Sequence, residues 1–150
     1  MKRKKLRIPL IVLAVIAVLV ACYVGFFMRA QPLLDCLPGT QPPAAGEVVR
    51  YTQDQPDGQS LALDDPQQVQ AIWQAIQQTQ VRFLRGRGTA LIPSDGAYYT
   101  VRLTSADGAS VYAFGYNTQG GILIQGSDYR LLDEDLLGPA LAAVFSPAAE

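Results

Sequence analysis

Arg82, Arg85 and Arg87, with Gly86 between the last two and Gly88 after them, form the densest set of ligand-gripping side chains in this sequence. Guanidinium forks beside unencumbered backbone suit phosphate or carboxylate groups. An envelope protein or an anionic wall polymer has that chemistry. The competing reading is that these arginines are solvated and simply balance nearby acids. The set lacks the strand-to-helix context of a true phosphate loop. Asp133-Glu134-Asp135 can be read as a cation site or an acid–base pair, or as the negative charge that a helix N-terminus attracts. Asp54, Asp57 and Gly58 lack the terminal bidentate Glu of a calcium loop. Ser127 has no histidine to activate it, because the chain contains none. From these residues no catalytic group, metal site or cofactor is expected. The reading is a non-catalytic binding or regulatory module. An envelope-polymer hydrolase or transferase working through carboxylates is the alternative.

The first element that must position these residues is an uncharged run of 21 residues, Ile8 to Met28, behind Lys2, Arg3, Lys4, Lys5 and Arg7. As a helix it would measure ~31 Å, about one hydrocarbon core. Three readings fit it: an uncleaved signal anchor, a lipoprotein signal, and a cleaved signal peptide. Leu19-Val20-Ala21-Cys22 matches a lipobox, which makes Cys22 the candidate lipidation site. The anchor is preferred because Tyr23 to Met28 continues the apolar run where a lipidated cysteine would lead into a polar tether. Basic residues before the run place the N-terminus in the cytoplasm and the remainder outside, in a single pass of the cell membrane. From Ala30 onward six arginines face all 13 acids, leaving −7. That balance argues against nucleic acid and against anionic lipid headgroups as partners. Cys36, the odd thiol beyond the membrane, could pair with Cys36 of a second copy.

The expected layout is a basic cytoplasmic tail over 1–7, a transmembrane signal anchor over 8–28 and a Pro-rich stalk over 29–46. An α+β domain over 47–146 and a short tail over 147–150 follow. Pro32, Pro38, Pro42 and Pro43 favour an extended spacer. Glu47 to Thr52 reads as a strand, Gln53 to Gln59 as a loop, and Ser60 to Leu63 as a short strand. Asp64 or Asp65 can cap a helix with Pro66 in its first turn. Val69, Ile72, Trp73 and Ile76 form its apolar stripe. Val81 to Leu84 reads as a further strand. A hairpin turning at Asp107-Gly108 pairs Leu103 with Tyr112, Val101 with Phe114 and Tyr99 with Tyr116, all on one face. Strands over Ile122–Gln125 and Tyr129–Leu132 follow. A last helix carries Leu137, Ala140, Leu141 and Val144, with Asp133 as its cap. The fold class is therefore α+β: a transmembrane helix, then an antiparallel sheet packed by one main helix and a C-terminal helix.

Leu63-Asp64-Asp65-Pro66 before a helix with Ile72 and Ile76, then Tyr98 to Leu103, Asp107-Gly108, and Tyr129 to Leu132 before a closing helix make a recognisable set. From Asp64 to Phe145 the chain resembles the YhfM-like small extracytoplasmic domains on membrane-anchored proteins and lipoproteins of Gram-positive bacteria. The resemblance implies an α+β domain outside the cell membrane with no assigned activity.

Overall fold

The computed structural model describes residues 7–132 and 134–146, with backbone alone at 7, 8, 10, 26 and 27. Its elements are α1 (Arg7–Phe27), β1 (Gln31–Pro32), a 3₁₀ turn (Leu33–Cys36), β2 (Pro43–Thr52), β3 (Gln55–Leu63) and α2 (Pro66–Gln78). After them come β4 (Gln80–Arg85), β5 (Tyr98–Ser105), β6 (Val111–Asn117), β7 (Gly121–Ile124), β8 (Ser127–Leu131) and α3 (Leu137–Val144). The strands form one antiparallel sheet in the order β1-β4-β8-β7-β6-β5-β2-β3. This is the α+β architecture expected, with more strands than the sequence announced.

The expected transmembrane helix is corrected. Among the described residues no helix is long and apolar enough to cross a membrane. The basic residues 2–5, the cap proposed at Asp133 and the tail 147–150 lie outside the described residues.

Parity along the strands gives the sheet two unlike faces. Tyr99, Val101 and Leu103 pair with Tyr116, Phe114 and Tyr112 as expected, and all six are buried. The connection is longer than the expected two-residue turn. Gly108 N donates to Ser105 O at 2.9 Å, and Ser105 N donates to Ser110 O at 3.0 Å, which leaves a four-residue loop. Asp107 Oδ1 accepts from Ala109 N within it, a side chain completing the turn that the backbone alone leaves open.

Helix α2 starts where Asp65 Oδ1 accepts from Gln67 N at 2.9 Å, with Pro66 in the first turn. Its stripe of Val69, Ile72, Trp73 and Ile76 is buried against the aromatic face. The Trp73 ring lies 4.9 Å from that of Tyr112. Leu137, Leu141 and Val144 of α3 complete the same core. At its edge Arg50 stacks on Phe145, with Cζ 4.7 Å from the ring centre.

The expected loop over Gln53–Gln59 is mostly strand. Thr52 pairs with Gln55, and an irregularity opposite Tyr51 absorbs two extra residues of β3, with Gly58 at φ +82.

The Pro-rich stalk is not a free spacer. Leu33 is fully buried and Leu37 nearly so, both within the core. Gln31 and Pro32 pair with Val81 and Gln80, and Leu33 N donates to Thr79 O at 2.9 Å. Tyr112 Oη donates to Gln41 O at 2.5 Å. Prolines keep this segment extended, but its leucines have apolar surface to bury, and that gain wins. Leu33→Ala should therefore cost ~2–5 kcal/mol, as in other fully buried sites. Urea unfolding measures it, and an unchanged midpoint would restore the free spacer.

Candidate functional site

The helices cover one face of the sheet, and the expected arginine site lies on the other. Arg82 alternates with the buried Val81, so it points away from α2, and its cross-strand partner on β8 is Arg130. Beyond Arg130 the same row continues through Gly121, Asn117 and Tyr98 to Tyr51. Gly121 has no side chain, so the row is low beside the two guanidinium groups. Neither Arg82 nor Arg130 makes an ion pair among the described residues, and Arg82 Nε is buried without a hydrogen-bond partner there. Like charges directly across a ladder repel, so this pair is a local cost of the fold.

Arg85 and Arg87 part company at the end of β4. Arg85 Nε donates to Asp128 Oδ2 at 2.6 Å, with the arginine side chain 64% exposed and the carboxylate 17%. Arg87 is exposed on the segment 86–97. That segment leaves β4 and crosses the open face to reach β5. Gly88 N donates to Gly126 O at 2.7 Å, and Gln53 Nε2 donates to Ile92 O at 3.3 Å, fixing it at both ends. Beneath it is a cavity of about 130 Å³ lined by Leu84, Arg85, Leu91, Tyr98, Leu123 and Asp128, among others. Tyr98 fits flat there because Gly115, opposite Thr100, leaves room for its ring; a Cβ on Gly115 would stand 1.8 Å from Tyr98 Oη. The backbone leaves the sheet after Arg85, which Asp128 ties to it. Arg130 was not foreseen as a member of the site. Its alternation within β8 is visible in the sequence, but the register that brings it to Arg82 is not.

Among the described residues no group of three or more Cys, Asp or Glu side chains could hold a metal ion. Of the expected acidic triplet, Asp135 is engaged by structure: Oδ1 accepts from Gly138 N at 2.9 Å and Oδ2 from the Tyr116 hydroxyl. It fixes the start of α3. Asp54 and Asp57 sit on the β2–β3 hairpin, and Ser127 opens β8 opposite Ile124. Cys22 is exposed on α1. Cys36 is half-buried, with Sγ 3.7 Å from Pro32 O. Burial, and then the neighbouring Asp35 carboxylate, raise its thiol above the ordinary range.

Compared with family models, curated proteins and solved structures, the chain matches none.

Two outcomes are expected from these contacts. Arg85→Ser should cost ~0.2–1 kcal/mol through the half-exposed pair with Asp128. Arg87→Ser should cost less than ~0.5 kcal/mol, as for an ordinary surface site. Urea titrations at low and high salt check this, since only the Arg85 effect should shrink on screening. The second outcome concerns alkaline pH. Burial raises Tyr98, Tyr99 and Tyr129 above the ordinary phenol range. Tyr116 is raised furthest, by burial first and then by its hydrogen bond to Asp135. The folded state thus keeps protons that the unfolded chain releases near pH ~10. Stability should be level up to about pH 9 and fall as pH rises beyond it. Tyr116→Phe should make that fall shallower, which urea midpoints across the range would read.

Proposed function

We propose that this chain is a membrane-attached, non-catalytic binding module of the bacterial cell envelope, held against the outer face of the cell membrane. The observation that carries the reading is α1. Ile11, Val12, Leu13, Val15, Ile16, Val18, Leu19 and Val20 are all at least half exposed, and they point around the helix in every direction. So much exposed apolar surface needs an apolar surrounding, and a lipid surface supplies one. Only Met28, Arg29 and Ala30 separate α1 from β1, so whatever covers the helix lies against the sheet edge. The non-catalytic part rests on the side chains already placed: Asp135 is committed to α3 and Tyr116, and Ser127 stands in a strand without a base. The fold-level resemblance to YhfM-like extracytoplasmic domains points the same way.

Flotation on phosphatidylcholine vesicles tests the attachment. The full chain should float with neutral lipid at high salt, and a variant lacking residues 1–28 should stay at the bottom of the gradient. Equal sedimentation of both would remove the membrane from the proposal. Cys22→Ala should float like the parent; loss of flotation would make lipidation the attachment.

A further inference from the structure

We propose that Arg29, Arg82, Arg85, Arg87 and Arg130 form a docking surface for anionic lipid headgroups, which lays the β4–β8 edge of the domain against the membrane. The inference rests on the membrane attachment proposed above and gives that attachment an orientation.

The first argument is covalent. Met28, Arg29 and Ala30 span at most ~10 Å between the end of α1 and Gln31. β1 runs antiparallel to β4, with Gln31 opposite Val81 and Pro32 opposite Gln80. Followed backwards, the chain therefore heads along the Arg82-to-Arg85 half of β4 on its way to α1. The arginines of β4 and the start of the 86–97 segment stand at the point where the domain meets its anchor.

The second argument is charge. The region beyond Ala30 carries −7, but the charge is segregated. Around the anchor point five arginines face two carboxylates, Asp128 on β8 and Asp35 in the turn just after β1, leaving +3. Asp54, Asp95 and Glu134 lie at the opposite strand ends, and Glu47, Asp64, Asp65 and Asp107 lie toward the β5-β2-β3 side. The acidic balance that disfavours lipid for the whole domain thus does not apply to this edge. A net repulsion from the far side would turn the domain so that the basic edge faces the headgroups.

The third argument is composition. Leu84 and Leu91 are 48% and 62% exposed beside Arg85 and Arg87. Exposed leucine next to arginine is the mixture that settles at the boundary between headgroup and acyl chain. Between Arg82 and Arg130 a phosphate would accept hydrogen bonds from both forks and cancel the repulsion of the bare pair. A soluble wall polymer has the same phosphate chemistry, but nothing would require its site to adjoin α1. Proximity to the anchor favours lipid.

A fluorophore near the arginines tests this in the full-length chain. In a Cys22→Ala, Cys36→Ser background, Leu91→Cys carries bimane, and the protein is reconstituted into phosphatidylcholine vesicles with or without phosphatidylglycerol. A headgroup-attached quencher reports docking. Quenching should be strong with phosphatidylglycerol, weak without it, and reversed by salt. Arg87→Ser with Arg130→Ser, two exposed and unpaired positions, should lower the docked-to-undocked ratio by roughly fivefold per arginine. The corresponding pair of lysine variants should retain docking. Equal quenching in the two vesicle types, or no effect of the serine pair, would overturn the proposal. So would displacement by soluble poly(glycerol phosphate) at the same phosphate concentration, which would make the polymer the ligand. Flotation on the neutral vesicles reads α1 separately. A chain that floats there without lipid-dependent quenching sinks the docking alone. A chain that binds only the anionic vesicles keeps the docking and sinks the attachment by α1.

Discussion

An eight-stranded antiparallel sheet has two faces, and this chain has helices for only one of them. Everything else in the architecture answers that constraint. The covered face takes the large side chains: three tyrosines, a phenylalanine and a run of aliphatic residues, closed by Trp73 on α2 and Leu141 on α3. The other face must manage with less. It uses Gly115 and Gly121, flattens Tyr98 into the space they leave, and lays the 86–97 segment across the middle. What remains uncovered at the β4–β8 edge is where polar and charged groups collect. The position of the arginines thus follows from the shortage of helices rather than from any motif of their own.

Parts of this were legible in the chain and parts were not, for physical reasons that differ by residue. The hairpin of β5 and β6 could be read because one turn links its strands, so turn chemistry and side-chain parity constrain each other. The same is true of α2, where Asp65, Pro66 and the Val69-to-Ile76 spacing all act within four turns of helix. Arg130 escaped because its meaning depends on a pairing with β4 set by the whole intervening meander. The segment after α1 was misjudged because four prolines announce extension while only burial reveals that Leu33 and Leu37 are core. Proline restricts the backbone but does not say whether the extended chain is free or docked. The apolar run at the N-terminus gives a third kind of difference. Composition over 8–28 predicts a span, whereas no helix meets that requirement among the described residues.

The electrostatics of the domain are similarly a matter of arrangement. A net charge summarises thirteen acids and six arginines as one number, yet the ladder sorts them by strand and by end. Arg50 shows how strongly location changes a residue's task. It sits on the helix-covered side, donates to Gln59 at 2.9 Å and stacks on Phe145, so it closes the core near the end of α3. Arg82, of the same type and on the same sheet, faces the other way and is left with a like-charged neighbour. One arginine closes the core, and the other stands across the ladder from Arg130.

The two-residue β1 has a mechanical meaning. Any load between α1 and the domain enters through Gln31 and Pro32, which hold β4 by a short antiparallel ladder. Behind β1 stand the buried Leu33 and Leu37 and the hydrogen bond from Tyr112 to Gln41, and only then does the long ladder of β2 begin at Pro43. Residues 31–42 thus form a reserve of chain that can pay out ~40 Å while β2 to β8 stay paired. The link from α1 to β2 would then be short while docked and longer under load. In the short state the leucines are hidden, and in the long state they are offered to whatever is pulling.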